Sequence, residues 1–169
     1  MDTIAYIRGQ LASVRGYFDI VLKDLTEEQL NWAPPGTLSP ISAILLHTFS
    51  AEDFFTVKII QGKPLLWDDG PWQEQIGIRP PGGRDDTWAQ FRTTPVHLEP
   101  VLDYGRATRA ATDAWLDAAV PADLERMVRF GRGESQVAEV FMHAVMHTTS
   151  HAGEVAALKG LQGGKGLPF

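Results

Sequence analysis

From Ile4 the apolar positions fall at Ile4, Ile7, Leu11, Val14, Phe18, Val21 and Leu25. Alternating steps of three and four predict a first long helix with one buried stripe. Thr26-Glu27-Glu28-Gln29 has the capping-box pattern, so a short turn of helix starts there and ends in the segment from Asn31 to Gly36, which holds Pro34-Pro35. Ser39-Pro40 predicts the next start, with Ser39 as cap and Pro40 at the first helical position. Helix two then carries Ile41, Ile44, Leu45, Thr48, Glu52, Phe55 and Ile59 on one strip, and Gly62 followed by Pro64 stops it.

Residues Lys63 to Asp86 are rich in Gly, Pro and Trp without a period, which predicts a long ordered loop, with a short helix near Thr87 to Arg92. Helix three is expected to start around Pro100 and to run through Leu102, Gly105, Thr108, Thr112, Trp115 and Ala119 until Pro121. Helix four is expected from Ser135 to Lys159, beyond which the terminus is glycine-rich. No strand pair is expected. The pattern predicts one all-α domain over residues 1–169, a four-helix bundle with a long ordered loop between helices two and three.

Composition changes this picture by exclusion. With 169 residues the chain can bury a core without a metal or disulfide staple, so a metal would be functional. The 15 Lys+Arg and 21 Asp+Glu leave a formal charge of −6, which argues against nucleic acid and anionic lipid as partners. There is no cysteine, so thiolate metal sites and cysteine nucleophiles are excluded by chemistry. Asp2, Arg8 and Arg15 interrupt the N-terminal apolar pattern and no run of 18 apolar residues occurs. The expectation is a cytoplasmic protein without a signal peptide or membrane span.

The histidines carry the chemistry. His143, His147 and His151 form H-x3-H-x3-H on helix four, with His47 on helix two and His97 in a polar loop. Steps of four drift by only about 40°, which places the three imidazoles along the face shared with Val140, Ala144 and Val155 and directs them into the bundle. Imidazoles four apart can share one metal, with a third ligand from another element, for which His47 beside Ile44 and Ala51 is the candidate. A single histidine on such a face is ordinarily a hydrogen-bonded core residue. Three would leave several buried polar groups to satisfy, and an ion does so at once. His97 reads as a solvated loop residue.

Two familiar metal motifs are missing. Ala144 and Thr148 follow His143 and His147 where a zinc peptidase has glutamate. Ile44, Val140, Ala144 and Thr148 stand three before the histidines where a ferritin-like site has glutamate. Glu154, three after His151, can orient a ligand or move a proton, or else make an ordinary surface contact. Glu52 and Asp53 are expected to face away from His47 or to bridge to another helix.

The stretches LTEEQLNWAPPGTLSPISAILLHTFSAEDFF and MHAVMHTTSHAGEVAALKGLQG resemble the DinB/YfiT-like family of metalloenzymes over nearly the whole chain. The former is similar to the family's Trp-x-Pro turn and the helix with its first metal histidine. The latter is similar to its closing motif, with two histidines four apart before a small residue, glycine and usually glutamine. The resemblance implies a four-helix bundle, often a homodimer, and a divalent metal held by His47, His147 and His151, zinc first and nickel next. Glu154 stands where glutamine is common. His143 falls one turn before the ligand pair, which makes it a wall residue, a support for a ligand or a packed side chain. The resemblance also implies a small-molecule substrate and a low-molecular-weight thiol cosubstrate of the bacillithiol, mycothiol or glutathione type.

These features lead to thiol transfer or isomerisation at a metal, with the nucleophile supplied from outside a chain that has no cysteine. The alternatives are metal-assisted hydrolysis with Glu154 or His143 as proton acceptor, and a non-catalytic metal-binding stress-response protein. The loop bearing Trp67 and Trp72 is expected to cover the site or to form part of a dimer surface.

Overall fold

Asp2 accepts a hydrogen bond from the amide of Ala5 at 2.7 Å and starts α1, Thr3–Leu22, in the computed structural model, which describes residues 2–82 and 87–167. The predicted stripe is buried through Ile7, Leu11, Val14, Phe18 and Val21. The helix ends a turn before Leu25 because Asp24 takes a left-handed φ of 59°. Leu25 is still buried, on the connection to α2, Glu27–Asn31, whose capping box between Thr26 and Gln29 forms as predicted.

α3, Ile41–Glu52, begins one residue later than expected. Pro40 is the cap rather than the first helical residue, and its carbonyl accepts from the amides of Ala43 and Ile44. The helix then widens into a π-helical continuation, Asp53–Ile60, in which the Thr56 hydroxyl donates to the carbonyl of Glu52 at 2.8 Å. Gly62, at φ 67°, ends it where predicted.

The long loop contains two short helices, α4, Leu66–Asp69, and α5, Trp72–Ile76. They escape a periodicity argument because of their length and because α4 needs a distant cap, Asp53. Residues 83–86 of the predicted loop, and the last two residues of the glycine-rich terminus, lie outside the described residues. α6, Thr87–Gln90, is the short helix expected there.

α7, Leu98–Ala118, starts two residues before Pro100, which is accommodated because amides of the first turn need no helical acceptor. After α8, Pro121–Glu125, comes a departure from expectation: an antiparallel hairpin of β1, Met127–Phe130, and β2, Gly133–Gln136. Four-residue strands fall below what alternation can show, and Gly131 at φ 62° supplies the tight turn. The hairpin takes Ser135 and Gln136 out of the last helix, so α9 spans Val137–Leu161, its start fixed by Glu139 accepting from the Gln136 amide at 3.0 Å.

The four long helices pack as an all-α bundle, α9 against α1 and α3, and α3 against α7. One apolar cluster gathers Phe18, Leu45, Leu46, Phe49, Val101, Tyr104 and Val155. A second joins Ile7, Leu11, Ile60, Leu116, Leu124, Val137 and Phe141 at the hairpin end. Glu52 and Asp53 bridge to neighbouring elements, as expected. Glu52 accepts from Arg15 of α1 at 2.5 Å and from Thr112 of α7 at 3.1 Å. Among the described residues no helix is long and apolar enough to cross a membrane.

Candidate metal centre

α3 and α9 lie side by side, so an imidazole from α3 meets two from α9 across their interface. His47 Nε2 is 3.1 Å from His147 Nε2, which is 3.3 Å from His151 Nε2. The rings of His47 and His151 stand edge to face with centroids 5.1 Å apart. All three are half-buried, and one ligand atom from each lies within 4.8 Å of the others. Trp88 of α6 packs against His47 with a centroid separation of 4.7 Å, and Phe55 packs against His147 at 5.7 Å.

Partners of the outer nitrogens fix the tautomers. The carbonyl of Pro81 lies 2.9 Å from His47 Nδ1, and a carbonyl only accepts, so Nδ1 carries the proton and Nε2 keeps its lone pair. The Glu154 carboxylate, 2.5 Å from His151 Nδ1, fixes that ring in the same way. Two lone pairs therefore face His147 Nε2. With its proton on Nδ1, His147 would add a third lone pair, and a cation accepting all three would relieve the repulsion between them.

The spacing fits such an ion. Metal–nitrogen bonds of about 2.0–2.1 Å at tetrahedral angles put ligands about 3.3 Å apart, close to the two separations observed. Burial, reinforced by the neighbouring His151 and His47, pushes the His147 imidazole down to about 3. Burial also lowers His47, although the Pro81 carbonyl opposes it. Both rings are therefore neutral near pH 7, the form that binds metal.

His143 does not join the cluster. It is exposed, and its ring packs on Phe130 of the hairpin at 5.0 Å. The expectation that all three α9 histidines point inward is corrected here. Two steps of four drift by about 80° in sum, enough to carry the first of three residues off a narrow buried strip. Phe130 in turn packs on Phe55, and Phe55 on His147, so two aromatic rings link His143 to the cluster. His97 is exposed beside Glu27, in the loop position expected for it.

Beside His47 and His147 opens a cavity of about 410 Å³, walled by Phe54, Phe55, Trp67 and Tyr104 and edged by Arg79. Asp53 shapes this wall. Its carboxylate, fully buried, accepts from the amides of Leu66 and Trp67 at 3.1 Å each and from the Tyr104 hydroxyl at 2.8 Å. Burial raises the Asp53 pKa despite these bonds, and burial beside Asp53 raises that of Tyr104. Sequence reasoning missed Tyr104, Arg79 and the Pro81 carbonyl. Phe49 and Val57, four residues to either side, were the available signal for the burial of Asp53.

The fold and the histidine cluster define a helical-bundle protein with a three-imidazole centre able to hold a divalent metal. The family model of the DinB superfamily matches residues 10–155, and the chain belongs to that superfamily. A crystal structure described as the conserved protein of locus from Enterococcus faecalis is similar over 95% of this chain and 97% of that one, with a TM-score of 0.78 at 17% identity, a likeness in fold. A search of the curated proteins finds none that matches.

Proposed function

We propose that the protein is a divalent-metal-dependent enzyme that transfers or isomerises a small electrophile with the help of a low-molecular-weight thiol. The observation that carries this reading is the convergence of three Nε2 atoms, from His47, His147 and His151, beside an aromatic-walled cavity. Zinc is the ion best suited to three neutral imidazoles with an open position, and nickel is next. When bound, the ion supplies Lewis acidity that lowers the pKa of an entering thiol.

The chain's own residues do the rest. Pro81 and Glu154 hold the two outer rings in the tautomer that presents Nε2. Phe54, Phe55 and Trp67 exclude water and seat the electrophile. In the reaction the thiol sulfur forms a bond to the electrophilic carbon, the leaving group departs with the bonding electrons, and the thiol proton passes to solvent. With no cysteine in the chain, the sulfur comes from the cosubstrate.

Hydrolysis asks for a free base at the cavity. Glu154 is engaged at His151, and His143 lies beyond Phe130, so in this reading Glu154 positions a ligand and His143 supports the hairpin wall. A homodimer finds support in the apolar groove between α1 and α9, where Tyr6, Met142 and Met146 are exposed.

The test is elemental analysis of untagged protein together with conjugation of a model electrophile by a panel of cellular thiols. One metal ion per chain, lost in His147→Ala but kept in His143→Ala, and a metal-dependent conjugation lost in His151→Ala, are expected. Equal metal in wild type and His147→Ala, or metal-dependent ester cleavage without any thiol, would overturn the reading.

A further inference from the structure

The cavity beside the histidines carries a selectivity of its own. Its walls are aromatic, from Phe54, Phe55, Trp67 and Tyr104. The Tyr104 hydroxyl is turned to Asp53, and both Asp53 oxygens are occupied by Leu66, Trp67 and Tyr104, so this wall offers ring surface rather than hydrogen bonds. Among the described residues the cation on the lining is Arg79, whose guanidinium pairs with Asp68 at 3.0 Å, in an exposed pair with 64% and 51% of the two side chains accessible. Such an exposed pair is weak and yields readily to a competing anion. Arg79 also stands two residues before Pro81, whose carbonyl holds His47, so its backbone is within about 7 Å of that contact.

These features select a ligand. Aromatic walls favour a flat apolar body, and a volume of about 410 Å³ admits a metabolite rather than a peptide or polymer. A guanidinium fork matches the two coplanar oxygens of a carboxylate. Thiol cosubstrates of the glutathione type are polar along their length, so the ring surface belongs to the other reactant.

We propose that this cavity binds a small aromatic carboxylate, its ring against Phe54, Phe55 and Trp67 and its carboxylate on Arg79. The inference rests on the reading above for the role of that molecule as the electrophile. The binding itself is tested apart from turnover.

The experiment titrates the zinc-loaded full chain by calorimetry with 3-phenylpropanoate, its neutral amide and glutathione. The acid should bind about tenfold more tightly than the amide, the worth of one charge-assisted hydrogen bond. Arg79→Gln, with helical circular dichroism intact, should erase that preference and leave the amide unchanged, while Phe54→Ala should weaken acid and amide alike. Three results would overturn the proposal: equal affinity of wild type for acid and amide; an acid preference that survives Arg79→Gln but disappears in His147→Ala; or an Arg79→Gln variant that loses glutathione while keeping phenylpropanoate. A chain with no thiol-transfer activity still gives a decisive titration, so failure of the enzymatic reading and failure of this one are told apart.

Discussion

Glu154 Oε2 lies 2.5 Å from His151 Nδ1, with the carboxylate side chain 57% accessible and the imidazole 16%. The acid is therefore wet on its outer side and fixes the ring from behind. This geometry predicts that Glu154→Ala lowers zinc affinity by about tenfold, the ordinary effect of removing a group that orients a metal-binding imidazole. Glu154→Gln should retain most of the affinity, because the amide oxygen accepts the same N–H bond. Competition with a chromophoric chelator measures both. Wild-type affinity in the alanine variant would show that the contact does not orient the ring.

Removal of metal should leave the fold standing. The two apolar clusters, one around Phe18, Leu45 and Tyr104 and the other around Leu11, Leu116 and Phe141, contain no histidine. Chelation should keep the helical circular dichroism and lower the melting temperature by the mass-action stabilisation that bound metal supplies. Loss of helicity on adding a chelator would mean that the ion is structural.

Gly105 is a packing requirement of the α3–α7 interface. A Cβ at this position would come within 2.8 Å of the Phe49 ring, which has Phe18 at 6.1 Å and the Arg109 guanidinium at 5.8 Å. The ring has little room to retreat, so Gly105→Ala should destabilise the protein by about 1–3 kcal/mol in urea unfolding. Gly9 of α1, where an added Cβ would meet nothing within 4 Å, is the control. There the same change should stabilise by up to about 1 kcal/mol, as expected for alanine in an open helical position.

How far the sequence could be read depended on the length scale of each signal. The apolar positions from Ile4 to Leu25 repeat over the whole length of the helix, which is why α1 was legible almost to its ends. The i, i+4 spacing of His143, His147 and His151 marked the helix face, the resemblance singled out His147 and His151, and the place of His47 on the inward strip of α3 made it the candidate third ligand. What failed was short or non-local. The hairpin at 127–136 has strands of four residues, α4 exists through a cap supplied by Asp53 thirteen positions earlier, and the acceptor for His47 is the backbone of Pro81. No residue type announces a backbone carbonyl. His143 shows a third kind of failure, since helical spacing gives the relative directions of side chains but not the width of the strip that a neighbouring helix covers.

Acid should destabilise the metal-free protein through His147. Burial first, and then the nearby His151 and His47, push this imidazole down to about 3, against about 6.5 in an unfolded chain. Between those values the unfolded state binds the extra proton, so stability rises with pH in that interval. The contribution of a neutral His147 is thus complete above about pH 6.5 and is lost progressively as the pH falls toward 3. The two carboxylates nearest in this argument behave differently: Glu154 sits on His151, and Asp53 lies on the cavity wall with its own partners. A variant separates the histidine from other acid effects, because His147→Gln removes the titrating group and leaves the rest of the chain alone. Urea midpoints of the chelated wild type and of His147→Gln, measured from pH 7.5 to pH 4, should therefore diverge. The wild type should lose more stability on acidification than the variant, beginning near pH 6.5. Parallel curves for the two proteins over that range would show that His147 accepts a proton in the folded chain as readily as in the unfolded one, and would remove the electrostatic basis for a preformed neutral cluster.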